Sequence, residues 1–300
     1  MRVVRTVAEL RGVLAPCRRD EALVGLVPTM GAFHGGHLSL IRRARAECAV
    51  VVVSLFVNPA QFRSGEDLDG YPRDEARDRA LAQAEGADVL FAPDPAEVYP
   101  SGFQTAVEVS ELGRMLEGDE AGRGPSHLRG VATVVTKLFN MVAPDIAYFG
   151  QKDAQQTYVI RRLVQDLDMP VRIAVGPTVR EADGLAMSSR NVYLTPAERH
   201  RAVALSRALR AGEAVAAAGE SDPAEVLAAA RAMLDAAGVE PEYLALRSAA
   251  DLSQIERVDG TALLLVAARI GRTRLIDNTL LGVPEANPAS LAAEREEAPA

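Results

Sequence analysis

Val24-Gly25-Leu26-Val27-Pro28-Thr29-Met30-Gly31-Ala32-Phe33-His34-Gly35-Gly36-His37 leads from an apolar run, through a glycine-rich bend, to two histidines. Residues 24–27 read as a buried strand, and residues 38–48 have helical periodicity. Gly31, Gly35 and Gly36 lie between the two, where they let the backbone approach a ligand closely. A phosphate group at such a junction meets free N–H groups and the positive end of the helix dipole. His34 and His37 are three residues apart, so both imidazoles face one side of a helix. The same residues also fit a plain strand-to-helix turn with one capping and one packed histidine.

Working outward, apolar runs at 50–57, 89–92, 146–149 and 171–175 read as further strands. They alternate with helical stretches at 38–48, 74–85, 131–142 and 153–167. Strands that are apolar throughout, alternating with helices, predict an α/β fold: a doubly wound, Rossmann-like parallel sheet with its ligand at the strand carboxyl ends. The polar motifs fall where that fold needs them. Asn58-Pro59-Ala60-Gln61-Phe62 follows one strand, and Gly150-Gln151-Lys152-Asp153 follows another.

After Gly176 the texture changes. Residues 180–190 form a polar loop, and Thr195-Pro196-Ala197-Glu198 reads as an N-cap, a first-turn proline and a capping-box acid. That helix runs to about residue 218, and Asp222-Pro223-Ala224-Glu225 opens another to about 237. Strands follow at 243–247, 262–269 and 273–277, the last two joined as a hairpin at Ile270-Gly271-Arg272. The expected organisation is a nucleotide-binding domain over 1–176, a smaller α+β domain over 177–283 and a disordered tail over 284–300.

Composition narrows the function. A 300-residue chain with net charge −8 has no general basic surface for nucleic acid or anionic membrane, so a phosphate ligand must be held by local positive groups. No apolar run approaches the ~20 residues of a membrane span, and the N-terminus lacks a signal-like segment. A cytoplasmic enzyme is expected, with Cys17 and Cys48 as unpaired thiols. Of 33 Lys and Arg residues, only Lys137 and Lys152 are lysines. A chain that writes arginine almost everywhere keeps lysine where a compact point charge is wanted.

Several residue types then suggest chemistry. Asn58, Gln61 and Gln156 are uncharged amides, suited to a ligand with hydroxyls and a carboxylate. Lys152 sits where it reaches phosphate; Asp153 either accepts from a ribose hydroxyl or caps the helix. Met187-Ser188-Ser189-Arg190-Asn191 places small donors beside a guanidinium, a set that clamps phosphates. Asp67, Asp69, Asp74 and Asp78 form an acidic stretch that is either a solvated helix start or, through Asp74 or Asp78, a ligand for Mg²⁺. His127 is a candidate for ordering a substrate loop, and His200 reads as a surface residue.

Together these segments resemble the pantothenate synthetase (pantoate–β-alanine ligase) family from about Val24 to Asn278. The shared stretches are Pro28–Gly31 with His34 and His37, Phe56–Phe62, Gly65–Arg73, Tyr148–Gly150 with Lys152, Asp153, Gln155 and Gln156, and Pro177–Asn191. The resemblance implies a relative of class I aminoacyl-tRNA synthetases, with His34-Gly35-Gly36-His37 as the H-x-G-H element of a nucleotidyltransferase-type fold. It implies two steps: pantoate attacks the α-phosphorus of ATP to give pantoyl adenylate and pyrophosphate, then β-alanine attacks the acyl carbon and releases AMP. His34, His37, Lys152 and Arg190 are the implied catalytic residues, with His37 as proton donor. The implied ATP site comprises Thr29, Met30, Gly31, Ala32, Phe33, Gly35 and Gly36 with the histidines, then Gly150, Gln151, Lys152 and Asp153, then Val179, Met187, Ser188, Ser189 and Arg190. Asn58, Gln61, Tyr71 and Gln156 are implied for pantoate and β-alanine, with Mg²⁺ accompanying ATP and a homodimer as the assembly. The family carries Leu at the place of Phe33, Glu at Gln151 and an aromatic residue at Ala154, and its loop differs over Arg123–Leu128.

Two other readings share features with this one. A nucleotidylyltransferase also uses H-x-G-H but has no use for Asn58, Gln61 and Gln156 together. An ATP-sensing module predicts binding without turnover and leaves Lys152 and the two histidines unexplained.

Overall fold

A computed structural model describes residues 1–63, 68–119 and 122–282. Asp67 and the expected tail over 284–300 lie outside the described residues. The first sheet has strands β1 (Arg2–Val4), β2 (Val24–Thr29), β3 (Val50–Leu55), β4 (Val89–Phe91), β5 (Ile146–Gly150) and β6 (Arg172–Gly176), all parallel, in the order β1-β4-β3-β2-β5-β6. Helices α1 (Val7–Arg19), α2 (Gly35–Glu47), α3 (Glu75–Ala84), α4 (Pro95–Val98), α5 (Pro125–Val142) and α6 (Ala154–Asp166) connect them. Beyond residue 176 come α7 (Pro196–Ala217), α8 (Pro223–Ala236) and an antiparallel sheet of β7 (Pro241–Ser248), β8 (Ala262–Ile270) and β9 (Thr273–Leu281).

The apolar strands of the first sheet are buried on both faces, as their unbroken hydrophobicity requires. Leu10, Leu14, Val131, Leu138, Ile160 and Leu163 pack on one side. Ile41, Ala44 and Ala82 pack with Val27, Val51 and Val53 on the other. The second sheet has its own core, where Leu205, Leu209, Val226 and Leu234 meet Leu264 and Val266. Leu116 and Ala154 bridge to Ala245, Leu263 and Leu265. Beside them the buried Glu117 accepts from Arg274 at 2.7 and 2.8 Å and from the Tyr243 hydroxyl at 2.6 Å. Burial alone raises the Glu117 carboxyl, but the hydrogen bonds and charge of Arg274 outweigh it and hold the group below the usual carboxylate value. Among the described residues no helix is long and apolar enough to cross a membrane, and Cys17 and Cys48 are both free.

The sheet opens beside β2 for a reason written in the sequence. From β2 the chain steps outward to β3 and β4, then returns to place β5 on the other flank, which makes the β2/β5 boundary the switch point. Pairing of β2 with β5 ends at Leu26 and Ala147, whereas pairing with β3 continues to Thr29. The Thr29 carbonyl accepts from Phe56 N on the β3 side, so Pro28 turns toward β5. It has no N–H to offer a ladder there.

The structure corrects the expected elements in three places. α2 begins at Gly35 rather than 38, because His34 caps it and both glycines lie in the first turn. α5 begins at Pro125 rather than 131, using a proline at its first position. β1 and α1 go unread in the sequence, although Thr6 and Glu9 form a capping box that signals α1.

Candidate active site

The site lies over the carboxyl ends of β2, β3 and β5, facing the loop at 177–190. The bend after β2 has a left-handed backbone at Gly31 (φ 87°) and Ala32 (φ 52°). Glycine adopts this freely and alanine at some cost. Asp78 of α3 secures the bend, accepting from Ala32 N at 2.7 Å and Phe33 N at 2.8 Å. Asp78 is 1 % exposed, and burial raises its carboxyl despite those two bonds.

His34 and His37 form a capping box of an unusual kind. His34 Nδ1 accepts from Gly36 N at 3.2 Å, and His37 Nδ1 accepts from His34 N at 3.4 Å. A ring nitrogen that accepts from a backbone N–H carries no proton, so each neutral imidazole holds its proton on Nε2. The rings are 4.1 Å apart and line one cleft with Met30, Lys152, Ser188 and Arg190. Burial, then the charge of Lys152, lowers His34 to about 4; burial, His34 and Lys152 lower His37 well below its ordinary value. Both therefore stand neutral at pH 7, as N–H donors and not as cations. In one geometry the two histidines cap α2 and line the cleft.

At the end of β3, Asn58 caps the short turn Pro59–Gln61. The sequence expectation makes Asn58 a pantoate ligand, but its side chain is committed inside the protein. Nδ2 donates to Gln61 Oε1 at 3.0 Å and to Gly130 O at 3.1 Å, while Oδ1 accepts from Ala60 N at 3.2 Å and Tyr99 Oη at 2.8 Å. Gln61 Oε1 thereby fills one of its two acceptor positions, and Nε2 points toward Met30 Sδ at 2.9 Å. His127, buried in α5, donates from Nδ1 to Gln61 O at 2.8 Å, and its Nε2 receives Arg123 Nη1 at 3.2 Å.

At the end of β5, Lys152 and Asp153 face the cleft with Nζ and Oδ1 3.8 Å apart. Asp153 makes no side-chain cap bond, so the capping alternative does not describe it. Gln151 turns away, donating to Asn278 Oδ1 at 3.0 Å. Asn278 in turn donates to the carbonyls of Gln151 and Lys152, both at 2.9 Å. This support from β9 escapes sequence reasoning, since the two segments are far apart in the chain.

The opposite wall is the 177–190 loop. Met187 N donates to Val179 O at 2.9 Å, and Met187 Sδ packs so close to Gly35 that a Cβ there falls 2.9 Å away. Arg180 clamps the loop to Asp277 at 2.6 and 3.1 Å. Ser188 Oγ accepts from Arg190 N at 3.2 Å, Tyr71 Oη meets Ser189 Oγ at 3.0 Å, and Arg190 lies 5.6 Å over the Tyr71 ring. Thr29, Gly36, Asn58, Gly150 and Gln156 are also among its lining residues. The cleft measures about 210 Å³ and adjoins one of about 700 Å³ through Arg123, Lys152 and Arg190.

Phe33, Gly31 and Ala32 shape the bend without lining the cleft; Phe33 is a core residue. Neither carboxylate suggested for Mg²⁺ faces it. Asp78 has both oxygens on backbone N–H groups, and the exposed Asp74 accepts from Arg77 N as the cap of α3. His200 is exposed on α7.

The profile of the family Pantoate-beta-alanine ligase matches residues 2–280. The chain belongs to this family. Among the pantoate–β-alanine ligase relatives, the pantothenate synthetase of Roseiflexus castenholzii is 55 % identical over 282 residues, which is 94 % of this chain and 99 % of that protein. The pantothenate synthetase of Agrobacterium fabrum is 52 % identical, covering 94 % of this chain and 96 % of its own. The pantothenate synthetase structure from Thermus thermophilus superposes with a TM-score of 0.88 at 50 % identity, covering 93 % of this chain and 99 % of that one. The pantoate–β-alanine ligase of Francisella tularensis, solved with β-γ ATP and β-alanine, gives 0.77 at 33 % identity over 93 % and 97 %.

Proposed function

We infer that this chain condenses (R)-pantoate with β-alanine at the expense of ATP, through a pantoyl adenylate. The carrying observation is the convergence in one cleft of two Nε2–H donors, the Lys152 ammonium, the Ser188–Arg190 turn and the amides of Gln61 and Gln156.

The division of labour follows from charge. A pantoate carboxylate oxygen attacks the α-phosphorus as the bond to the bridging oxygen breaks, and that electron pair leaves on pyrophosphate. Negative charge thus moves toward the β and γ groups, where Lys152, Arg190 and the Ser188 and Ser189 hydroxyls strengthen their hold as it develops. His34 and His37 donate neutral hydrogen bonds to phosphate oxygens, so they align the nucleotide without adding fixed charge. The β-alanine amine then attacks the acyl carbon, AMP departs with the electron pair of the acyl–oxygen bond, and the amine loses a proton. Alignment supplies much of the acceleration. Asp153 serves the ribose, Val179 and Met187 the adenine, and Tyr71 closes over the acyl pocket.

Mg²⁺ accompanies ATP in this reading. Asp78 does not fit it, since both its oxygens are engaged with backbone N–H groups, and the exposed Asp74 caps α3 away from the cleft lining. We further propose that residues 1–176 and 177–283 form the two working domains of a cytoplasmic homodimer; the two free thiols suit a reducing compartment. Incubation with ATP, Mg²⁺ and pantoate should exchange labelled pyrophosphate into ATP, and addition of β-alanine should yield AMP and pantothenate. A chain that shows no pantoate-dependent exchange refutes the assignment.

A further inference from the structure

We propose that Tyr99, braced by Lys137, is a positioning residue for the acyl substrate, holding in place through Asn58 the Gln61 amide that faces the cleft. This rests on the ligase reading above and goes beyond it.

Asn58 is 1 % exposed and its amide has four hydrogen-bonding positions, each filled from within the protein. It has nothing left for a substrate. Its orientation is unambiguous: Gly130 O only accepts, so it faces Nδ2, and Ala60 N–H only donates, so it faces Oδ1. The Tyr99 hydroxyl must then donate to Oδ1, and the second Nδ2 proton goes to Gln61 Oε1. Gln61 is left to present its NH₂ end, where one proton meets Met30 Sδ and the second is a donor matched to the carboxylate or hydroxyl oxygens of an acyl substrate.

Tyr99 holds this chain of amides only while its ring stays in place. Phe103 meets it edge-on at 5.1 Å, and Lys137 Nζ stands 4.6 Å from the Phe103 centroid and 5.9 Å from that of Tyr99. Lys137 follows Gly130 by seven residues, two turns of α5, so one helix face supplies both the carbonyl at Asn58 and the cation at Tyr99. The close seat of α5 on the turn is obligatory, as a Cβ on Gly130 falls 2.2 Å from Ala60 O. This gives a use to the second of the chain's two lysines, the one the reaction itself leaves unused.

The test compares the full-length wild type with Tyr99→Phe, which keeps the ring and loses the hydroxyl, and with Lys137→Met and Lys137→Arg. We expect Tyr99→Phe to raise the pantoate KM about tenfold, the scale of one buried hydrogen bond, with the ATP KM within twofold of wild type. Lys137→Met should move the same parameter in the same direction, and Lys137→Arg should recover part of it. Unchanged pantoate KM in both Tyr99→Phe and Lys137→Met, or an equal rise for ATP and pantoate, overturns the proposal while leaving the ligase reading standing. A wild type without pantoate-dependent exchange overturns both.

Discussion

The backbone N–H of His34 donates to Nδ1 of His37 across the first turn of α2, and so fixes the proton of His37 on the nitrogen that faces the cleft. Replacing His37 by Ala removes the proposed phosphate donor and leaves that N–H without its acceptor. We expect pyrophosphate exchange to fall by about 10²-fold or more, the scale for losing one preorganised donor to a developing charge. An exchange rate within threefold of wild type contradicts the role.

Both imidazoles are held neutral, His34 down to about 4 and His37 well below its ordinary value. The unfolded chain, with ordinary histidines near 6.5, binds more protons than the folded one below that pH. The stability they contribute is therefore complete above about pH 6.5 and is lost as pH falls toward 4. Thermal unfolding followed between pH 7.5 and 4.5 should show a decline that His34→Gln makes shallower; parallel curves for the two proteins count against it.

Lys152 offers the compact charge nearest the histidines, with its side chain 20 % exposed. Lys152→Ala disturbs no core, so circular dichroism and the melting temperature should stay close to wild type while exchange drops by at least about 10²-fold. Lys152→Arg should recover little, since a planar fork cannot follow a moving phosphate as an ammonium does. Full activity in the arginine variant removes this argument.

Asp78 separates two explanations of the same carboxylate. As the anchor of the 31–33 bend, its replacement by Asn costs about 1–3 kcal/mol of stability and raises the ATP KM, because one oxygen is exchanged for a second donor facing an N–H. Were it a magnesium ligand, raising Mg²⁺ would restore the variant. We expect no such restoration in a titration of activity against Mg²⁺.

The buried Glu117, in the turn before α5, and the partly buried Arg274 of β9 join the two parts of the chain. Glu117→Gln leaves the guanidinium with Glu242 but without its full counter-charge, and urea unfolding should report a loss of about 1–3 kcal/mol. The carboxyl is held below its usual value, so this contribution is present above the ordinary carboxylate range and is lost as pH falls through the depressed value. A change under about 0.5 kcal/mol argues that the junction is held by Leu116, Ala245 and their neighbours alone.

Much of this was legible in the sequence because it depends on local chemistry. Strands covered on both faces must be apolar throughout, and helices capped by Thr195 and Asp222 announce their own starts. α2 was harder: its first turn contains two glycines, poor helix formers, and its cap is a histidine, outside the usual capping set. Asn58 shows the deeper limit. Residue type makes it a plausible substrate amide, and only the meeting of β3, α4, α5 and the turn at 59–61 shows that all its bonds are spent. Asp78 likewise reads as a metal candidate until the fold brings two backbone donors to it.

The Asp78 anchor also bears on how quickly a nucleotide is captured. The bend at 31–33, including the unfavourable left-handed Ala32, is set by a carboxylate from α3 before any ligand arrives. Its conformational entropy is surrendered during folding, not at each encounter with ATP. Association at this wall thus carries no waiting time for the bend before the histidines to assemble.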